Sequence, residues 1–162
     1  MVATATSTGL AHVDRYWRQV VQEPGAEHLH ASLLGLRTYR APALHDRVEE
    51  GLSWHALERL RRTLDVPLAE LSRVLRIAPR TLARRKREGR LQPDESDRLL
   101  RLSRVTGLAL RLFEGDLEAA RIWLKAPHRA LGDQVPLRFA ATGVGAREVE
   151  NLLGRLEHGV VT

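Results

Sequence analysis

The stretch Leu68–Arg90, LAELSRVLRIAPRTLARRKREGR, constrains this chain more than any other. Its first half sets Leu68, Leu71, Val74 and Leu75 at helical spacing. Its second half restarts at Pro79, a residue suited to the first turn of a helix because the missing N–H has no partner there anyway. Only Arg76, Ile77 and Ala78 lie between. Two amphipathic helices this close in sequence must cross at a tight turn, which is the layout of a helix-turn-helix. Ile77 can plug the turn, and Leu82 can anchor the second helix while its cationic side chains stay outside. The first helix is expected over about Val66–Leu75, with Asp65 as its cap and Pro67 in its first turn.

Charge is concentrated at the same place. Six of the twelve residues from Pro79 to Arg90 are Lys or Arg, opposed only by Glu88. The segment His55–Arg104 carries 14 Lys or Arg against 7 Asp or Glu, and the remainder 12 against 13, so the whole excess of +6 is local. A local excess is an electrostatic footprint for a polyanion, whereas a uniform one speaks only to solubility. On a recognition helix in the major groove, Arg80, Thr81, Arg84 and Arg85 are the candidates for base edges, since Arg offers a bidentate fork to guanine O6 and N7. Lys86, Arg87 and Arg90 lie further along and are candidates for phosphate. A solvated basic face with no partner would carry the same charges but would not need the apolar stripe beneath it. Two positions depart from the usual turn. Gly commonly stands where Arg76 does and a Ser or Thr cap where Ala78 does, each departure costing roughly 1 kcal/mol.

No segment alternates β-branched or aromatic residues at period two, so the expected fold is all-α. Three parts are expected: a lead over 1–43, a DNA-reading part with its linking helix over 44–114, and a C-terminal helical unit over 115–162. The lead starts with small polar residues expected to be mobile, and HVDRYWRQVV can form a short helix exposing Tyr16 and Trp17. From Leu44 onward Val48, Leu52, Leu57, Leu60 and Leu64 recur at helical intervals, broken by Gly51. Past Pro93, Asp94, Glu95 and Asp97 favour a helix start, and Leu99, Leu102, Val105, Ala109 and Leu112 form an apolar face widened by Leu100 and Leu108. This spine helix, ended at Gly115, is expected to be buried on more than one side and to form the shared core of a homodimer, which suits half-sites about one DNA turn apart. Asp116 caps LEAARIWLKA, and Pro136 opens a short helix closed by Gly143. The last helix, about Ala146–His158, sets Val149, Leu152, Leu153 and Leu156 in a stripe available to a partner's groove, followed by Val160-Val161-Thr162.

Several classes lose support. With no cysteine there is no disulfide and no Cys-based zinc site. The N-terminus lacks the pattern of a secretory signal and no stretch has the length of a membrane span, so a cytoplasmic protein is expected, with no membrane partner. Seven histidines include no HExxH motif, and no Gly-rich phosphate loop occurs. His28 and His30, two residues apart, would point to different sides of a helix. The expectation is therefore a protein that is not an enzyme, with no catalytic residue, metal or cofactor.

The run from Leu44 to Gly159 resembles the Xre/MbcA/ParS-type antitoxins. The matching segments are HDRVEEGLSWHALERL at His45–Leu60, RTLARRK at Arg80–Lys86, PDESDRLLRLSRV at Pro93–Val105, AARIWLKAPHRALGDQVPL at Ala119–Leu137 and TGVGAREVENLLGRLEHG at Thr142–Gly159. The series Trp123-Leu124, Pro127, Leu131-Gly132, Pro136 and Gly145 is the specific part. The resemblance implies an Xre-like helix-turn-helix domain followed by a C-terminal toxin-binding domain, in a dimeric antitoxin. It further implies binding of the operator DNA of its own operon and of a RES-domain toxin, a class that resembles NAD-consuming ADP-ribosyltransferases. By that analogy the last helix and tail approach the toxin, and Trp123, Glu150, Asn151, Arg155, Glu157, Val160 and Val161 are the candidate toxin contacts. The alternative is a stand-alone DNA-binding regulator whose C-terminal helices dimerise or sense a ligand.

Overall fold

The computed structural model describes residues 6–23 and 28–160, with side chains from Val13 onward. In chain order its helices are α1 (Thr6–Gln22), α2 (Leu29–Leu33), α3 (Ala41–Glu50), α4 (Trp54–Leu64), α5 (Leu68–Val74), α6 (Pro79–Glu88), α7 (Pro93–Leu112), α8 (Leu117–Lys125), α9 (Pro136–Phe139) and α10 (Gly143–Glu157). A 3-10 turn at Arg129–Leu131 lies between α8 and α9. No β-strand occurs among the described residues, and the all-α class is what forms.

The spine is α7. Its start is fixed by a capping box in which Gln92 and Glu95 each bond the other's backbone. Along it Leu99, Leu102, Val105, Ala109 and Leu110 are at most 1 % exposed. Helices α1, α2, α3, α4, α8 and α10 all pack against it. Burying each of these leucines is worth about 2 kcal/mol. The apolar face expected to serve a homodimer is therefore used inside one chain, because α2 and α10 lie on it, and only Leu108 and Leu112 stay half-buried.

The lead differs from expectation. α1 runs for 17 residues and Trp17 is buried in the core, not exposed beside Tyr16. Tyr16 is half exposed and meets the Trp17 ring edge-on at 5.0 Å. The backbone of α1 rests on Gly115, where φ is +82° and a Cβ would fall 2.5 Å from Arg18 Cα. Only glycine allows both the conformation and the approach. Helix α2 is too short to show a period in sequence, yet it buries Leu29, Ala31 and Leu33.

Two further differences concern helix ends, and a third concerns a helix face. Asp65 does not cap α5: it closes α4 in the left-handed conformation at φ 52°, and Pro67 takes the position before α5. Gly143 begins a helix where it was expected to end one, because the Thr142 hydroxyl accepts from Gly145 N at 3.0 Å and caps α10. The apolar stripe of α10 is not available to a partner, since Val149, Leu152 and Leu153 are buried and α10 packs on α7.

Candidate nucleic-acid interface and partner surface

The turn between α5 and α6 is closed from within. Arg76 adopts φ 53°, the left-handed conformation that usually calls for Gly. The buried Ser72 hydroxyl donates to Ile77 O at 2.6 Å, and Ile77 N donates to Ser72 O at 3.0 Å. Arg98 of α7 donates to Leu75 O at 2.7 Å, supplying a cation to the C-terminal end of α5. Pro79 opens α6 after Ala78, with no side-chain cap, as the sequence implied.

The buried side of α6 is set by Leu82 and Arg85. At 100° per residue Arg80, Arg84 and Arg87 fall opposite that side, within roughly 60° of one another. All three are exposed, and Arg84 keeps only a loose pairing with Glu88 at 3.8 Å. Lys86 is exposed on one flank and Thr81 half-buried on the other. The seven sequence candidates therefore do not form one set. Arg85 corrects the expectation of a free fork: its Nε donates to Glu95 at 2.7 Å and its NH1 to Glu88 at 2.9 Å, with Arg85 itself buried. The Glu95 hydrogen bond raises the guanidinium above its ordinary pKa, against the opposing effect of burial. Arg90 is also engaged, donating to Glu50 O at 2.8 Å and Gly51 O at 3.2 Å at the end of α3.

A cationic groove beside α6 escaped sequence reasoning. His55, Arg59 and Arg62 of α4 line it together with Lys86. Its signal was present, because residues 55, 59 and 62 share one helix face at i, i+4 and i+7.

The C-terminal unit is joined to this module through polar contacts. Arg121 of α8 donates to Thr63 O at 2.7 Å and Arg62 O at 3.1 Å, and Lys125 donates to Asp65 O at 2.8 Å. These cations sit at the C-terminal end of α4, where its dipole is negative. Arg138 of α9 donates to Glu70 of α5 at 2.8 Å. That bond is the main reason the Glu70 carboxyl titrates below its usual 4.5.

The candidate toxin contacts are dispersed. Trp123 is half-buried and stacked on His128 at 4.5 Å, while His128 Nε2 lies 2.8 Å from Trp123 O. Asn151 and Arg155 are exposed, and Glu157 accepts from Arg111 at 2.7 Å. Glu150 is half-buried in a depression against α7. Val160 is exposed, but its N–H folds back to Arg155 O at 2.9 Å, and Val161 lies outside the described residues. His28 stacks on Tyr39 at 4.0 Å, its ring 6.3 Å from that of His30. Among the described residues no group of three or more His, Cys, Asp or Glu could hold a metal ion, and no helix is long and apolar enough to cross a membrane.

Comparison with known proteins matches both units in order. Residues 43–104 match the antitoxin Xre-like helix-turn-helix domain, and residues 108–159 match the antitoxin Xre/MbcA/ParS C-terminal toxin-binding domain. An antitoxin Xre of Yersinia enterocolitica is 38 % identical over 128 residues, covering 78 % of this chain and 86 % of the relative. An antitoxin Xre of Photorhabdus laumondii is 34 % identical over 130 residues, covering 80 % and 88 %. An antitoxin Xre of Pseudomonas putida is 29 % identical over 117 residues, covering 72 % of each. With a helix-turn-helix module and a toxin-binding unit matched in sequence and built in space, the chain belongs to the Xre family of antitoxins.

Proposed function

We propose that this chain neutralises a RES-domain, NAD-consuming toxin through its C-terminal unit and represses its own operon by binding operator DNA as a homodimer. The observation that carries the DNA half is the outward line of Arg80, Arg84 and Arg87 on α6, with Leu82 and Arg85 buried behind it. Such a line presents several cations to the backbone or the base edges of one groove without disturbing the core. The toxin half rests on the matched C-terminal unit and on the resemblance of its Trp123 to Gly145 series to antitoxins with RES-domain cognates. One recognition helix makes few base contacts, so two-fold pairing on a palindrome supplies the affinity. The dimer surface then lies outside the Leu99–Leu110 face of α7, which is filled. A cytoplasmic location follows from both partners.

Co-expression with the neighbouring reading frame tests the proposal. Growth arrest and NAD depletion caused by that frame alone should be relieved by this chain, with which its product should co-purify. A chain that binds DNA upstream of its own gene but neither rescues growth nor forms a complex is a stand-alone regulator. Sedimentation at micromolar concentration in moderate salt checks the dimer.

A further inference from the structure

Two depressions on the C-terminal side share residues. One, of about 240 Å³, is lined by Leu29, Gly107, Leu108 and Arg111 as well as Arg104 and Glu150. The other, of about 610 Å³, is lined by Arg101, Val144, Ala146 and Arg147, again with Arg104 and Glu150. The shared pair makes them two ends of one groove, which runs from α2 across α7 to the start of α10. Leu29, Leu108 and Ala146 contribute apolar surface to it, and Val144 stands 77 % exposed beside them.

We propose that this groove is where the toxin docks, and that the segment it receives is acidic. The inference rests on the toxin-binding reading above and adds the place and the chemistry. Four guanidinium groups line the groove against two carboxylates, Glu148 and Glu150. Arg101 is held by Asp97 and Arg111 by Glu157, but Arg104 and Arg147 have no ion-pair partner among the described residues. Arg104 and Arg147 are both exposed, so a carboxylate entering the groove would meet donors that the chain leaves open. Charge complementarity of this kind steers encounter and fixes register. The lining comes from α2, α7 and α10 and includes no residue of α6, and α10 lies in the unit matched to toxin binding, which favours the toxin over DNA as the occupant.

The groove also assigns a task to the lead. Leu29 and His30 form its far wall, and both lie before residue 43, where the family match begins. Gly107 lets α2 come this close, since a Cβ there would meet Leu29 Cβ at 3.2 Å and His30 N at 3.3 Å. Part of the docking surface is thus built from residues that neither matched unit includes.

The test uses full-length chain with Arg104→Glu and Arg147→Glu together, and Arg104→Gln with Arg147→Gln as a milder pair. Arg40→Glu, an exposed cation elsewhere, serves as the charge control. Binding is measured to the purified product of the neighbouring reading frame, to operator DNA and to a labelled decaglutamate peptide. Unchanged melting temperatures, unchanged operator affinity, and toxin affinity lowered on the order of tenfold with a flatter salt dependence support the proposal. Toxin affinity equal to that of the parent overturns it. So does a loss of operator affinity, which would make the groove a DNA surface. If the parent chain does not bind the neighbouring product, the toxin-binding reading fails. The peptide then decides the groove chemistry by itself: capture by the parent but not by the glutamate pair supports an acidic occupant, and no capture overturns it.

Discussion

Arg85 on the recognition helix and Glu95 on the spine helix are joined by a 2.7 Å ion pair, both side chains more than nine-tenths buried. Glu95 Oε2 also accepts from Gln92 N at 2.8 Å, so one carboxylate starts α7 and fixes the back of α6. The outward direction of Arg80, Arg84 and Arg87 depends on this anchor.

Removing one partner should leave the other buried and unpaired. Arg85→Ala is expected to destabilise the fold by about 3 kcal/mol, read as a lowered urea midpoint with little change in slope. Arg85→Met combined with Glu95→Met should recover most of that loss, since apolar replacement of both partners is often neutral. A double variant no more stable than Arg85→Ala would show that the pair has no such coupling.

Arg80, Arg84 and Arg87 should behave in the opposite way. Each change to Ala should leave the melting temperature within about 1 °C, as exposed substitutions shift stability by only a few tenths of a kcal/mol. Each lost phosphate contact should reduce the slope of log affinity against log salt by about one, and each lost base contact should cost roughly 1–3 kcal/mol on operator DNA alone. Gel-shift or anisotropy titrations across salt concentrations distinguish the two. Operator affinity equal to the parent's in the triple variant would remove α6 from the interface.

The Arg138–Glu70 pair gives the junction between the two units a dependence on pH. The Glu70 carboxyl is held below its usual 4.5 in the fold, so its contribution is complete above that value and disappears as pH falls through the lower folded value. Arg138 is largely exposed and solvent screens the pair, so its contribution is small. Arg138→Ala should therefore be slightly less stable than the parent at neutral pH, and the two should converge in strong acid. Melting curves from pH 2 to pH 7 provide the check.

Trp17 makes the lead part of the core. Trp17→Ala should cost about 3–5 kcal/mol, as removal of a buried aromatic usually does. Gly115→Ala should also destabilise, through the same contact seen from the other side. Melting temperatures near the parent's for both variants would mean that α1 is not held where the structure places it.

The helix-turn-helix was legible because its signals are local: apolar residues at helical spacing, a Pro at the first turn, and a charge excess with clear ends. Arg85 was misread for a reason visible afterwards. It lies three residues from Leu82, hence on the buried face, but a cation on that face needs a counter-ion, and Glu95 reads in sequence as an ordinary helix start. Trp17 and the stripe of α10 were misread because a period shows which residues share a face but not what covers it. Both helices, α1 and α10, pack on α7, which is remote from each in sequence. The groove at Arg104 and Arg147 was invisible for the same reason, since its walls come from three separated helices.

The two matched units end at residue 104 and resume at 108, both inside α7, a rod of about 30 Å with no break between them. The boundary suggested by sequence families is therefore no place to cut. A fragment ending at Arg104 would expose Leu99 and Leu102 and would lose Val105, Ala109 and Leu110 altogether; a fragment starting at Leu108 would lack most of α7, the helix against which α10 packs. A protease that nicked this rod would disable the helix-turn-helix module and the C-terminal unit in a single event, which makes the lifetime of α7 the lifetime of both.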